Sequence, residues 1–128
     1  MPKFLEFWII DHHGITLLHK KKDNTIKSID KNLFSGFVSA FHAVIASSSE
    51  DVESIKFKDS KLIMIPTNVY EKLLFIARTD QREKDRVIRK ELKRLSKTFL
   101  NEFREDLAVW VGDMDAFESF GEHLEQYW

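Results

Sequence analysis

Residues 7–19 read FWIIDHHGITLLH and decide how the fold begins. From Phe4 to Ile10 the chain is rich in aromatic and β-branched side chains, which is typical of a strand covered on both faces. Gly14 suits the left-handed position of a tight loop, and residues 15–19 then return as a second strand. The sequence therefore predicts a β-hairpin at its start.

Residues 30–49 predict a helix with an unusual surface. Asp30 or Asn32 can cap its start, and the serines at 47–49 end its apolar pattern. One arc is a core stripe made of Leu33, Phe34, Phe37, Val38, Phe41, Val44 and Ile45. The other arc carries Ser35, Gly36, Ser39, Ala40, Ala43 and Ala46, with His42 as its one bulky polar residue. A solvent-facing arc would carry Lys or Glu, so we expect both faces of this helix to contact protein.

Three strands and two further helices are predicted downstream. The strands fall at residues 52–58, 62–65 and 70–77. A long helix capped by Thr79 or Asp80 then runs to about Val111, and a short final helix follows Gly112. The apolar stripe of the final helix consists of Phe117, Phe120, Leu124 and Trp128.

The order of these elements predicts one α+β domain. A hairpin, a crossing helix and a three-strand meander give a five-stranded antiparallel sheet in the order β-β-α-β-β-β-α. The two main helices are expected on opposite faces, as α/β/α layers. Residues 1–111 form this domain, and residues 112–128 are predicted to be a helical extension packed on it. A chain of 128 residues is long enough for one such core.

Composition narrows the class of protein. The chain has no Cys, which excludes a disulfide scaffold, a thiolate zinc site and a cysteine nucleophile. Its hydrophobic fraction of 43%, with eleven Phe, argues against disorder. We find no signal-peptide pattern, and the longest uncharged run, residues 33–49, is short for a bilayer span. A cytoplasmic location is therefore expected.

Motifs for catalysis or cofactor binding are missing from the sequence. The four glycines stand apart at positions 14, 36, 112 and 121, so no phosphate-binding loop is present. His12, His13 and His19 are poorly arranged for zinc, because adjacent histidines on a turn point in different directions. No nucleophile elbow is visible either. The sequence predicts a non-enzymatic protein without metal or cofactor.

Two phrases of the sequence resemble a known family. Residues 7–19 look like the opening hairpin of archaeal longin-like proteins, and residues 30–41, DKNLFSGFVSAF, are similar to the start of their first helix. The resemblance covers about residues 4–107, with a weaker likeness around Trp110, Gly112 and Asp113. The related roadblock fold begins with an extra helix, for which a strand starting by Phe4 leaves no room. The resemblance therefore favours the longin member of this superfamily.

The resemblance implies an interaction domain. Longin and roadblock domains commonly pair with themselves or with each other and serve as platforms or regulators for small GTPases, including in membrane traffic. Their dimers often join first helix to first helix and third strand to third strand. Transferred to this chain, that interface comprises Ser35, Gly36, Ser39, Ala40, His42, Ala43, Ser54, Lys56 and Lys58. Because no SNARE or anchor segment follows the domain, a direct SNARE role is not expected.

Charge is distributed unevenly along the chain. The net charge is −1, but residues 78–97 contain nine Lys/Arg and four Asp/Glu, whereas residues 101–128 contain one Arg and eight Asp/Glu. One interpretation is a solvated helix face beside which the acidic tail folds back. The alternative is a peripheral contact with anionic lipid through Arg82, Arg86, Arg89, Lys90, Lys93, Arg94 and Lys97. Acidic interruptions and the lack of surface aromatics argue against nucleic acid.

Overall fold

The computed structural model describes residues 2–11, 14–23, 34, 36, 38, 54–67, 73–110, 112 and 114–128. Within them lie the strands β1 (Glu6–Ile10), β2 (Thr16–Lys21), β3 (Ile55–Lys56), β4 (Ser60–Pro66) and β5 (Leu74–Asp80). A long α-helix spans Asp85–Ala108, and a C-terminal helix with 3₁₀ geometry spans Met114–Tyr127. None of the helices among these residues is long and apolar enough to cross a lipid bilayer.

The five strands form one antiparallel sheet in the order β2-β1-β5-β4-β3. The β1–β2 hairpin lies at one edge, and its loop closes with Gly14 at a φ of 85°. The chain then passes to β3 at the opposite edge and returns through β4 to β5, which pairs with β1. The predicted hairpin, meander and α+β class are confirmed.

Alternation along β1 separates two apolar clusters. Phe7 and Ile9 face the long helix, whose residues Ile88, Leu92, Leu95, Phe99, Phe103 and Leu107 are buried at the predicted spacing of three or four. Trp8 and Ile10 face the other side of the sheet. All five residues of β1 are buried, as expected for a strand covered on both faces.

The second face of the sheet carries part of the predicted first helix. Phe34, Gly36 and Val38 have helical backbone; Val38 is buried against the cluster around Trp8, and the ring of Phe34 stacks on the indole at a centroid distance of 4.7 Å. The rest of the prediction for residues 30–49 lies outside the described residues.

The element boundaries differ from the predictions for identifiable reasons. β5 continues to Asp80 because Thr79 and Asp80 pair with Lys61 and Ser60 of β4. β3 ends at Lys56, because the amide of Phe57 donates to the carbonyl of Ser60 and closes the turn to β4. The start of the strand predicted at residue 52 lies outside the described residues.

The ends of the two helices also differ from the predictions. Lys84 occupies the N-cap position of the long helix without a capping hydrogen bond from its side chain, because Asp80 remains in β5 and a turn separates the two elements. The helix ends at Ala108. In the C-terminal helix, Phe117, Phe120 and Leu124 are buried as predicted, but the fourth buried residue is Tyr127 instead of Trp128. Trp128 lies just beyond the end of this helix and packs against the core while remaining partly exposed.

Candidate interaction surfaces

Of the interface residues predicted on the first helix, the structure describes Gly36. Gly36 is exposed, and no described atom lies within 4 Å of the position that a Cβ would occupy there. Its neighbours Phe34 and Val38 pack toward the sheet. Where the structure describes this helix, two residues of the predicted apolar arc face the sheet and one residue of the predicted small-residue arc is exposed. Ser35, Ser39, Ala40, His42 and Ala43 lie outside the described residues.

The interface residues predicted on the third strand lie on or beside β3, at one edge of the sheet. Within the described part of the chain, β3 pairs with β4 alone, through Ile55 opposite Leu62 and Lys56 opposite Lys61. Lys56 and Lys58 are exposed, and Ser54 is half-buried. Phe57, at the end of this strand, packs against the same cluster that receives Phe34. Phe57 and the first helix thus adjoin one apolar cluster, whereas the hydroxyl of the predicted interface residue Ser54 hydrogen-bonds Asp85 of the long helix.

A basic groove runs along the outer face of the long helix. It is the solvent-open space between the side chains of Arg86, Arg89, Lys90, Lys93, Arg94 and Lys97. These residues are spaced alternately three and one positions apart, which places their side chains on one side of the helix. The row from Arg86 to Lys97 is about 17 Å long. The predicted seventh member, Arg82, lies in the turn before the helix and pairs with Asp80 at 3.1 Å.

Most acidic residues that interrupt the basic sequence are engaged locally. Asp80 holds Arg82, and this hydrogen bond lowers the pKa of the carboxyl group. Asp85 accepts a hydrogen bond at 2.5 Å from the buried Lys61 of β4, which lowers the pKa of Asp85. Glu91 is paired at 3.1 Å with Arg94. None of these carboxylates lines the groove itself, although Glu91 pairs with Arg94 and Asp85 interacts with Arg89, which both do.

Arg94 is the anchored member of the basic groove. Its guanidinium donates to the hydroxyl of Tyr127 at 3.2 Å, and the same hydroxyl donates to Glu91 at 2.8 Å. The hydrogen bond from Arg94 to Tyr127 raises the pKa of Arg94, and burial raises the pKa of Tyr127. Within the described residues, the three lysines of the groove make no ion pair.

The acidic C-terminal helix packs on the same side of the sheet as the long helix, as the first interpretation of the charge distribution expected. Its carboxylates, however, lie beside β2. Glu118 pairs with Lys20, and Glu118, Glu122 and Glu125 line a hollow together with Lys20, Lys21 and Lys22. The C-terminal helix therefore lies next to the long helix, but most of its carboxylates face the lysines of residues 20–22 and not the basic groove.

A buried charge cluster was missed by reasoning from the sequence. Glu6 is fully buried; its carboxylate lies 2.6 Å from Nε2 of His19 and accepts a hydrogen bond at 3.0 Å from Nε of Arg78. The ring of His19 stacks on Trp8 at 5.1 Å. The one available signal was an acidic residue inside an apolar strand, which requires a buried partner. This cluster links β2, β1 and β5.

The described residues contain no group of three His, Cys, Asp or Glu that could hold a metal ion. His12 and His13 lie outside them, so the proposed absence of a zinc site at the hairpin stays a prediction. Comparison with protein-family models finds no match, and comparison with curated proteins finds none either. The two surfaces and their charges therefore carry the argument about function.

Proposed function

We propose that this protein is a longin-like interaction module that forms a dimer and acts as a platform or regulator for a small GTPase. Its partner in the dimer is a second copy or another longin or roadblock domain. The role is non-catalytic and belongs to processes of the membrane-traffic type. The proposal joins the resemblance of residues 7–19 and 30–41 to two surfaces: the small-residue arc of the first helix and the edge strand β3.

The sheet order supports the assignment to this fold. The hairpin β1–β2 at one edge, the crossing to β3 at the other edge and the return through β5 to β1 correspond to the element order that suggested the longin family. The long helix covers one face, and the helical residues Phe34 and Val38 cover the other. The domain is proposed to comprise residues 1–111, with residues 112–128 as its extension.

The observation that carries the proposal is the exposed Gly36 between two inward-facing apolar residues. On a helix, Ser39, Ala40 and Ala43 continue the face to which Gly36 belongs, at spacings of three, four and seven residues. A face of such small residues lets a second backbone approach closely. It leaves no charged side chain to desolvate when the partner binds.

The dimer is tested by placing a charge on this face. We expect the wild type to be a dimer at micromolar concentration in multi-angle light scattering. Ala40→Glu is expected to be a folded monomer, because a buried unpaired carboxylate opposes association. Ala116→Glu, on the exposed side of the C-terminal helix, makes the same chemical change elsewhere and should leave the dimer intact. A monomeric wild type contradicts the proposal.

The GTPase contact requires a separate measurement. Purified small GTPases from the same cell, each loaded with GDP or with a non-hydrolysable GTP analogue, are passed over the immobilised protein. We expect at least one to bind, with an affinity that depends on the nucleotide. Equal binding in both states or no binding by any of them contradicts the GTPase role and leaves the dimer to be judged by light scattering.

A further inference from the structure

We infer that the basic groove of the long helix is an electrostatic docking surface for an anionic lipid membrane. The surface is separate from the proposed dimer face, because the long helix covers the opposite side of the sheet from Phe34 and Val38. All six side chains that line it are Lys or Arg. Its ligand must therefore be an anion, and the arrangement of the charges identifies which kind.

The charges are spread out in a line and do not converge on one point. They occupy one face of a single helix over about 17 Å, and all are exposed except Arg89, which is half-buried. A discrete phosphate group is held by convergent, buried donors, whereas a row of long flexible side chains suits a plane of many negative headgroups. The geometry thus favours a surface over a small anion.

The lining also favours lipid over nucleic acid. Proteins that bind single strands combine basic side chains with aromatic rings for base stacking, and the groove is lined by none. It contains no side chain for insertion into the acyl layer either. The large hydrophobic residues exposed in the described part of the chain, Ile15 and Val109, lie outside the groove. Attachment is therefore purely electrostatic and reversible by salt.

The acidic residues nearby offset only part of this charge. Asp85 pairs with Lys61 and also interacts with Arg89, and Glu91 pairs with Arg94 and accepts a hydrogen bond from Tyr127. Glu118 of the tail is held at β2 by Lys20. An anionic membrane approaching the groove thus meets the lysines and Arg86 first, with Arg94 already fixed at the side of the C-terminal helix.

The test is co-sedimentation of the purified protein with vesicles. Phosphatidylcholine vesicles containing about 30% phosphatidylserine are compared with pure phosphatidylcholine, at about 0.05 M and about 0.5 M salt. We expect binding to the anionic vesicles at low salt that disappears at high salt. Lys90→Gln with Lys93→Gln should weaken it by about 25-fold, since each basic side chain near the surface contributes about fivefold and the two factors multiply.

A matched control separates this groove from general charge. Lys21→Gln with Lys22→Gln removes two charges from exposed positions at the end of β2 and just after it, and should leave vesicle binding nearly unchanged. Equal losses in both double variants, or no binding to anionic vesicles at low salt, overturn the inference. Binding to an oligonucleotide without binding to vesicles overturns it in favour of nucleic acid. Neither double variant alters the proposed dimer face, so failure here is distinguishable from failure of the light-scattering test.

Discussion

Tyr127→Phe tests how firmly the C-terminal helix is held on the core. The ring of Tyr127 is fully buried and stacks on Phe4 at a centroid distance of 4.5 Å, and phenylalanine preserves that contact. The substitution removes the hydroxyl alone. That hydroxyl donates to Glu91 at 2.8 Å and accepts from Arg94 at 3.2 Å, so it joins the C-terminal helix to the long helix.

The size of the effect follows from these partners. A hydrogen bond to a charged group contributes about 1.5–3 kcal/mol. In the variant, Glu91 and Arg94 still hold each other at 3.1 Å, and Arg94 is more than half exposed, so water replaces part of the loss. We therefore expect the free energy of unfolding to fall by about 1–2 kcal/mol, and Tm to fall by about 3–8 °C.

The same hydroxyl predicts a dependence on alkaline pH. Burial, followed by the hydrogen bond to Glu91, raises the pKa of Tyr127 above its ordinary value of 10.0. The folded state thus holds this proton more tightly than the unfolded state does. The stabilisation is fully present below about pH 10 and is lost as pH rises through the folded pKa. The difference in stability between wild type and Tyr127→Phe should shrink over that range.

Urea unfolding followed by tryptophan fluorescence measures these differences. Combining Tyr127→Phe with Glu91→Gln in a double-mutant cycle isolates the contribution of the hydrogen bond. Ser119→Ala, which removes an exposed hydroxyl from the same helix, serves as the control and should change nothing. A Tyr127→Phe protein as stable as the wild type at neutral pH would refute the role assigned to the hydroxyl.

Two further substitutions test the core and the start of the long helix. Phe120→Ala empties a site packed edge-on against Phe99 at 5.1 Å and should cost about 3–5 kcal/mol in urea unfolding; a loss below about 1 kcal/mol would mean that the helix is not part of the core. Lys61→Met removes the hydrogen bond that lowers the pKa of Asp85. That stabilisation is present above the unfolded carboxyl pKa and is lost as pH falls through the lower folded value, so the stability gap between wild type and Lys61→Met should narrow as pH falls below about 4. A gap independent of pH contradicts this assignment.

The parts of the fold that could be predicted are those encoded over short distances. The spacing of Ile88, Leu92 and Leu95 predicts the buried side of the long helix, because periodicity is a local property. The pairing of Glu6 with Arg78 could not be predicted, since it joins residues 72 positions apart and depends on the register of β1 against β5. A pattern indicates that a strand exists, but it does not reveal which residue lies opposite.

The basic groove shows the same limit of prediction from sequence, here for a candidate site. Steps of three and one along residues 86–97 place its members on one side of a helix, and this was visible in the sequence. The sequence also shows carboxylates interrupting the run, which argued against an anionic partner. Only the structure shows that Asp85 pairs with Lys61 of β4, and that Glu91 accepts a hydrogen bond from Tyr127 of the C-terminal helix.

The contact between Phe4 and Tyr127 has a consequence for how the chain folds during synthesis. The amide of Phe4 donates to the carbonyl of Tyr127 at 2.8 Å, and the two rings stack. Strand β1, which follows Phe4, pairs with β5, whose residues lie about seventy positions further along the chain. A nascent chain cannot complete its core until residue 127 has left the ribosome. Contacts of such sequence separation form slowly. Partly synthesised chains therefore expose the phenylalanines of the long helix until the final helix arrives to cover them.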